Sequence, residues 1–368
     1  MNVHIVALVA GCTIVGAILW DAFETLVLPR TPTRRLRLTR LFYRTTWRCW
    51  AGCGRMFRSD RRRERFLAVY GPLSVLALLT LWASALVVAF ALLQWSQREL
   101  LLNLDGTPHF SDDLYMSATT LFALGLGDVA PKGRGGRLLV VAETGSSLML
   151  LWMLFSYLPI LYQSFARRET RLTMLDAWAG SPPSATEILR RVPRSGDVSH
   201  LDMFFADWEQ WCSDLLESHL SYPAIAYFRS QHQRQSWVSA LTTLLDLTAL
   251  VKVGIEGVPT WRAHLTFAMA RHAAVDLAQV LGEPVSQLED RLPPHELAEV
   301  RCELERAGLR LNRSSQADHE LAELRKSYEP YIAAMSNRLM MPVPRWRATS
   351  REPDNWQTIP ESDGGPHF

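Results

Sequence analysis

Three long apolar segments stand out in the first half of the chain. They cover about residues 3–28, 67–95 and 138–165. Residues 66–97 contain no charged side chain, and residues 138–166 contain only Glu143. Crossing the hydrocarbon core of a bilayer takes about 20 apolar residues. The pattern therefore predicts three transmembrane helices and excludes a wholly soluble protein.

The first segment is interrupted in polarity only by Asp21 and Glu24, near its end. A signal peptide is the competing interpretation of this segment. However, no Lys or Arg precedes the apolar run, and no small-x-small cleavage site follows it. We therefore interpret residues 1–29 as a transmembrane helix.

Residues 98–136, between the second and third segments, are too short and too polar for a separate domain. Within them, the stretch Leu114–Phe122 predicts a short helix, and Asp112 and Asp113 are candidate N-terminal caps. The third transmembrane segment follows almost at once. The pattern therefore predicts a re-entrant loop that enters the membrane and returns.

Gly125 and Gly127 follow the short helix and alternate with bulkier residues. Alternating glycines let a backbone present successive carbonyls to one side. Rings of such carbonyls replace the hydration shell of a monovalent cation. Asp128 comes next and would concentrate cations at the mouth of a pore. The loop therefore predicts a cation-conducting site.

Residues 167–343 predict a helical domain with few strand signals. The predicted helices cover about residues 200–219, 233–253, 260–281, 294–308 and 316–340. The aromatic-rich stretch Trp208–Trp237 favours packing in a helical core over a ligand pocket, and the ligand of this domain stays open. No metal site, nucleophile–base pair or phosphate loop is recognisable in this half, so we expect no enzyme and no nucleic-acid partner. Residues 344–368 are rich in Pro and polar side chains and predict a flexible tail.

Charge sets the expected orientation in the membrane. The chain has 368 residues and a net charge of +2, yet residues 30–65 carry thirteen arginines against Asp60 and Glu64. Short loops this basic stay on the cytoplasmic side. We therefore expect the N-terminus outside, the domain from residue 167 onward in the cytoplasm, and the chain in the cell (inner) membrane as a multi-pass protein.

The basic segment is itself patterned, because arginines recur every three or four residues and alternate with large apolar side chains. The arginines are Arg34, Arg37, Arg40, Arg44 and Arg48. A voltage-sensing helix has similar spacing but must lie across the membrane field. An amphipathic helix on the anionic lipids of the inner leaflet is the favoured interpretation.

The loop resembles the pore loop of the potassium channel family, whose filter reads Thr-Val-Gly-Tyr-Gly-Asp between two membrane helices. The matching residues here are Ala123, Leu124, Gly125, Leu126, Gly127 and Asp128. The resemblance covers about residues 66–166, and it includes a preceding Asp113-Leu-Tyr-x-Ser-x-Thr119-Thr120 run typical of a pore helix. It implies potassium as the permeant ion, no further cofactor, and a fourfold ring. Because one chain supplies one quarter of that ring, we expect a homotetramer.

Two filter positions depart from the family pattern. Leu126 replaces a Tyr that can brace the filter from behind, although some two-pore-domain relatives also have Leu or Phe there. Ala123 replaces the Thr whose side-chain oxygen is expected at the innermost ion site. The expected function is a potassium-preferring channel, with a non-selective cation channel or a non-conducting membrane scaffold or sensor as alternatives.

The third apolar segment resembles a pore-lining inner helix. Its candidate gating residues are Glu143, Gly145, Ser147, Phe155, Pro159 and Tyr162. A carboxylate inside a membrane is a functional candidate, and we expect Glu143 either to brace the pore helix or to reach the outer interface. Large apolar side chains between Phe155 and Tyr162 predict a gate, with a kink at Pro159.

The sequence thus predicts an all-α membrane protein with three transmembrane helices, a re-entrant pore loop and a helical cytoplasmic domain. The expected segments are a transmembrane helix (1–29), a basic amphipathic linker (30–65), a pore module (66–166), a helical cytoplasmic domain (167–343) and a flexible tail (344–368).

Overall fold

We describe the chain from a computed structural model. It describes residues 3–28, 37–97, 101–103, 109–180, 182–192, 199–230, 235–258, 260–282, 285 and 290–347. The chain divides into two compact units, residues 1–162 and residues 163–368. The arginines predicted within residues 30–36 lie outside the described residues.

Five helices form or enter the first unit. They are α1 (Val3–Leu26), α2 (Leu38–Arg55), α3 (Asp60–Ser96), α4 (Phe110–Leu121) and α5 (Gly133–Ala179), which continues into the second unit. Helices α1, α3 and α5 are long and apolar enough to cross a membrane, by length and composition. They coincide with the three apolar segments of the sequence.

Helices α1 and α3 pack closely along their length because a glycine lies at the contact. A Cβ atom on Gly11 would lie 2.7 Å from Cγ of Leu93, so only glycine allows this approach. Near the other end of α1, Asp21 accepts hydrogen bonds from the Thr39 hydroxyl at 2.6 Å and from the Trp82 indole at 3.1 Å. These bonds tie α1, α2 and α3 together at a buried carboxylate.

The aromatic side chains of the amphipathic helix α2 are covered by protein, whereas Leu38 and Leu41 are exposed. Tyr43 and Trp47 are buried, and the Trp50 ring stacks on Phe66 with centroids 4.4 Å apart. The sequence indicated that these large side chains would face the lipid. They instead pack on α3, because an amphipathic helix buries its apolar side chains against a neighbouring apolar helix.

Helix α4, the predicted pore helix, begins earlier than the sequence indicated. It starts at Phe110 and ends at Leu121, so Asp112 and Asp113 lie inside its first turn and do not precede it. The Asp112 carboxylate accepts the backbone N–H of His109 at 2.8 Å, which is the second half of a capping box. Two short antiparallel strands, β1 (Leu101–Asn103) and β2 (Val129–Pro131), flank the helix and its following loop.

The second unit is helical, as the sequence predicted. Beyond the end of α5 it contains α6 (Ala185–Arg191), α7 (Ser199–Ser221), α8 (Trp237–Gly254), α9 (Trp261–Leu281), α10 (Pro294–Arg306), α11 (Ser315–Lys326) and α12 (Glu329–Leu339). The single helix predicted over residues 316–340 was wrong. It breaks at Ser327 and Tyr328, because Pro330 lacks the N–H that would continue the helix.

Helix α8 is a fourth segment long and apolar enough to span a membrane. Most of its side chains are buried inside the second unit, where α6, α9, α11 and α12 surround it. Its one buried carboxylate, Asp246, accepts bonds from Arg291 at 2.6 Å and from the Tyr328 hydroxyl at 2.6 Å. The hydrophobicity of α8 is thus accounted for by a protein core.

The predicted flexible tail was wrong at its first residues. Trp346 is fully buried, and the hydroxyls of Ser184 and Thr186 donate to its carbonyl at 3.0 and 2.6 Å. The guanidinium groups of Arg291 and Arg325 lie 5.8 and 5.7 Å from its ring. The remainder of the predicted tail, residues 348–368, lies outside the described residues.

Candidate ion-conduction site

The backbone after the pore helix alternates in handedness. Ala123, Gly125 and Gly127 have φ angles of +55°, +56° and +85°, whereas Leu124 and Leu126 between them do not have positive φ. A left-handed residue at every second position turns alternate peptide groups, so that successive carbonyls can share one side. Such an arrangement is compatible with a cation site lined by carbonyls.

Ala123 also ends the pore helix. The N–H of Leu124 bonds to the Thr119 carbonyl at 2.8 Å, and the N–H of Ala123 bonds to the Thr120 carbonyl at 3.0 Å. These two bonds define a Schellman motif, in which the left-handed residue is usually glycine. Ala123 therefore holds a strained position that a β-branched residue such as Thr would strain further.

Gly125 and Gly127 are required by their backbone conformation and not by steric contact with neighbouring atoms. A Cβ atom on Gly125 or Gly127 would meet no atom within 4 Å, but both residues have left-handed φ angles. The neighbouring side chains of Leu124 and Leu126 are 60% and 63% exposed in one chain. The loop therefore lies on the surface of the single chain, and no described residue encloses it.

The buried carboxylate Glu143 holds the pore helix from behind. Its side chain is fully buried and contacts the Ser117 hydroxyl of α4. The Gln94 side-chain amide of α3 donates to its other oxygen at 3.1 Å. The Ser117 hydroxyl also lies 2.9 Å from the Val87 carbonyl. One carboxylate thus joins α3, α4 and α5, and of the two expected positions for Glu143 the structure has the one against the pore helix.

The other predicted pore-helix residues are buried along α4. Asp113, Thr119 and Thr120 are 5%, 7% and 8% exposed, and the Thr119 hydroxyl donates to the Met116 carbonyl at 3.0 Å. Asp128, at the end of the filter sequence, pairs with the Tyr115 hydroxyl.

The inner-helix candidates lie along α5 without converging on one point. The Ser147 hydroxyl donates to the Glu143 carbonyl at 2.9 Å, and a Cβ atom on Gly145 would meet nothing within 4 Å. Pro159 lies inside the helix, where its missing N–H removes one backbone hydrogen bond. Phe155 and Tyr162 are 70% and 50% exposed in the single chain.

Tyr115 and Ser117 belong to the run that resembles a pore helix, but Gln94 was not predicted as a site residue. The partners of all three residues could not be predicted, because they lie in other segments of the chain. Polar residues in an otherwise apolar helix were the available signal, and Gln94 carries that signal within α3. Among the described residues, no group of three or more His, Cys, Asp or Glu could hold a metal ion.

Comparison with known proteins agrees with this geometry. Residues 75–164, which hold the pore helix, the filter sequence and Glu143, match the profile of a family described as "Ion channel". The rest of the chain lies outside that match. Residues 75–164 therefore carry an ion channel domain.

One relative is an uncharacterized membrane protein, YdjJ, of Bacillus subtilis (strain 168). The two sequences are 24% identical over 209 residues, which are 56% of this chain and 59% of the relative. The chain thus spans less than two thirds of this relative's length. No solved structure matches the chain.

Proposed function

We propose that the protein is a tetrameric, potassium-preferring channel that conducts monovalent cations across the cell (inner) membrane. The filter consists of residues 123–128. The single observation that carries this proposal is the alternation of left-handed φ angles at Ala123, Gly125 and Gly127, directly after a short helix that a buried carboxylate holds in place. That helix also points the negative end of its dipole toward the filter, which favours a cation there.

The exposure of the loop supports a tetramer. Leu124 and Leu126 project from a single chain, and α5 exposes large apolar side chains such as Trp152 and Phe155 at 74% and 70%. Four loops around an axis complete a carbonyl ring that one loop leaves open. Four copies of α5 then line the path, with the gate between Phe155 and Tyr162.

Three helices, α1, α3 and α5, cross the membrane in this proposal, with the N-terminus outside. The arginines at residues 40–65 support a cytoplasmic position for the segment between α1 and α3. The burial of α8 inside its own unit supports its exclusion from the membrane. The second unit is then cytoplasmic.

The basic segment supports binding to anionic lipid headgroups. Arg40, Arg44 and Arg48 lie on one exposed face of α2, and α2 contains no Asp or Glu. None of the three pairs with a carboxylate among the described residues. Because the aromatic side chains of α2 pack on α3, the attraction is mainly electrostatic. Binding of anionic lipid to the detergent-solubilised protein should fall when the three arginines are replaced by Gln, and binding that stays unchanged refutes the lipid assignment.

Cation flux in liposomes tests the conduction proposal. The purified protein is reconstituted with a potassium gradient, and the variants Gly125→Ala and Gly16→Ala are compared with it. Neither added Cβ would meet an atom within 4 Å, but Gly125 has a φ of +56° and Gly16 lies in helix α1, away from the proposed pore-lining helix. Placing Ala at the left-handed position costs about 1–2 kcal/mol per chain, whereas Ala in a helix is favourable.

We therefore expect Gly125→Ala to reduce flux strongly and Gly16→Ala to retain it. Equal flux in both variants would show that the 123–128 backbone is not the conduction path. Absence of flux from every protein, including the variant Leu126→Tyr, would favour a non-conducting scaffold.

A non-selective cation channel is the second candidate, and Ala123 is the observation that favours it. Its side chain carries no hydroxyl, and its N–H bonds to the Thr120 carbonyl at the end of the pore helix. The innermost site then depends on backbone and water alone. Sodium flux equal to potassium flux through the same liposomes would select this candidate.

A further inference from the structure

The part of α5 in the second unit carries a buried arginine that no role in conduction requires. Arg168 is 4% exposed and lies three residues after Phe165 on the same helix. Helix α5 is continuous from Gly133 to Ala179, so Arg168 shares one helix with the proposed gate. A group held at this position restrains the cytoplasmic end of the pore-lining helix.

The guanidinium group of Arg168 is held by one short segment, residues 222–230. Its Nη1 donates to the Ile225 carbonyl at 3.2 Å, and its Nη2 donates to the Phe228 carbonyl at 2.7 Å. Both carbonyls belong to the 3-10 helix Pro223–Tyr227 and the residue that ends it. A planar fork with fixed donors suits this pair of carbonyls, and a lysine cannot reproduce it.

Two nearby residues of α5, Phe165 and Glu169, contact the same segment. The Phe165 ring lies 5.5 Å from the Phe228 ring, and the guanidinium lies 5.2 Å from the Phe165 centroid. The Glu169 carboxylate pairs with Arg168 at 3.1 Å and accepts the Ser230 hydroxyl at 2.5 Å. Three consecutive contacts therefore join residues 165–169 to residues 222–230.

His219 completes the site, and its partners fix its protonation. Nε2 lies 3.3 Å from Arg168 Nη1, which can only donate, and Nδ1 lies 2.8 Å from the Leu215 carbonyl, which can only accept. The imidazole is therefore neutral, with its proton on Nδ1. Burial and the adjacent guanidinium lower the pKa of His219 well below 6.5, consistent with this assignment. The Trp237 ring, 4.9 Å away, covers the imidazole.

We propose that Arg168 is a positioning residue through which residues 222–230 of the cytoplasmic unit hold the pore-lining helix in its resting state. The inference rests on the proposed channel function. A stimulus that moves residues 222–230 releases Arg168 and lets the end of α5 move. A buried guanidinium keeps its charge, so Arg168 can leave these carbonyls only if it finds new polar partners. The end of α5 therefore has two discrete positions, one with Arg168 held and one with it released.

Cation flux per folded tetramer tests this inference, with Arg168→Gln compared with Arg171→Gln. Arg171 lies one turn further along the same helix and is partly exposed. Its Nη1 atom lies 3.8 Å from Oδ2 of Asp207, which is a long ion pair. The control therefore removes the same charge without changing the contacts between Arg168 and residues 222–230, which we call the clamp. Thermal unfolding and the tetramer fraction are measured in parallel, so that flux is compared among folded proteins only. Arg168→Lys serves as the conservative variant if Arg168→Gln does not fold.

We expect Arg168→Gln to raise basal flux about fivefold or more, the lower end of typical coupling between sites. Arg171→Gln should leave flux unchanged, and Arg168→Lys should lie between wild type and Arg168→Gln. Hydrogen exchange of residues 222–230 should speed up in Arg168→Gln only.

If the wild type conducts and Arg168→Gln has the same flux, the role of the clamp is refuted and the channel proposal stands. Equal changes in Arg168→Gln and Arg171→Gln also overturn it, because charge and not the clamp would then be responsible. Flux absent from all the proteins overturns the channel proposal, and the clamp's role in gating with it. Silence of the wild type with flux from Arg168→Gln supports both.

Discussion

Replacement of Glu143 separates the role of its hydrogen bonds from the role of its charge. Glu143→Ala removes the acceptor for Ser117 and for the Gln94 amide in a fully buried site. Ser117 keeps the Val87 carbonyl at 2.9 Å, so Gln94 is the group left unpaired. An unpaired buried donor costs about 1–3 kcal/mol, and the lost side-chain volume adds to it. We expect a loss of about 2–4 kcal/mol per chain.

Glu143→Gln is the matched control because the network already contains an unused acceptor. The Gln94 Oε1 atom is buried without a partner among the described residues. If the Gln94 amide rotates, Gln at 143 can accept from Ser117 and donate to that oxygen. We expect a change of less than about 1 kcal/mol, with flux retained.

The assay is thermal dissociation of the purified tetramer, followed by flux in liposomes. Glu143→Ala should lower the dissociation temperature clearly and reduce flux, whereas Glu143→Gln should resemble the wild type in both. Equal destabilisation by the two variants would refute this reasoning, because it would show that the negative charge, and not the hydrogen bonds, holds the pore helix.

Ala123→Gly should stabilise the tetramer by about 0.5–1 kcal/mol per chain by relieving the left-handed φ, measured by thermal dissociation, and Ala123→Thr should do the opposite. Trp346→Ala should cost about 3–5 kcal/mol in urea unfolding, whereas Trp261→Ala, at a 72% exposed position, should cost little. The free energy of unfolding should decrease by up to about 1.4 kcal/mol for each pH unit below about 6.5. Burial and the Arg168 charge lower the pKa of His219 in the folded protein, so the unfolded chain binds a proton that the folded protein does not. His219→Gln should flatten this slope in urea titrations.

The long helices and the pore loop could be predicted from the sequence because their signals are local. A charge-free apolar run predicts a span wherever it occurs, and α1, α3 and α5 coincide with the predicted segments. Glycines at 125 and 127 likewise mark the left-handed positions that the backbone needs. Ala123 gave no such signal, because alanine rarely takes this conformation.

The contacts that organise the site could not be predicted because they join distant residues. Glu143 was identified, but its partners Ser117 and Gln94 lie 26 and 49 residues away in sequence. Trp346 lies in a stretch whose composition is typical of a flexible tail, yet it fills the space beside Arg291 and Arg325. Composition describes the average of a segment and does not reveal one buried side chain.

A reversal potential in a planar bilayer, with potassium on one side and sodium on the other, separates a potassium-preferring channel from a non-selective one. We expect a current whose reversal potential is displaced far from zero toward the potassium equilibrium, and a much smaller current from Gly125→Ala. A current that reverses near zero would contradict potassium preference and assign the protein as a non-selective cation channel.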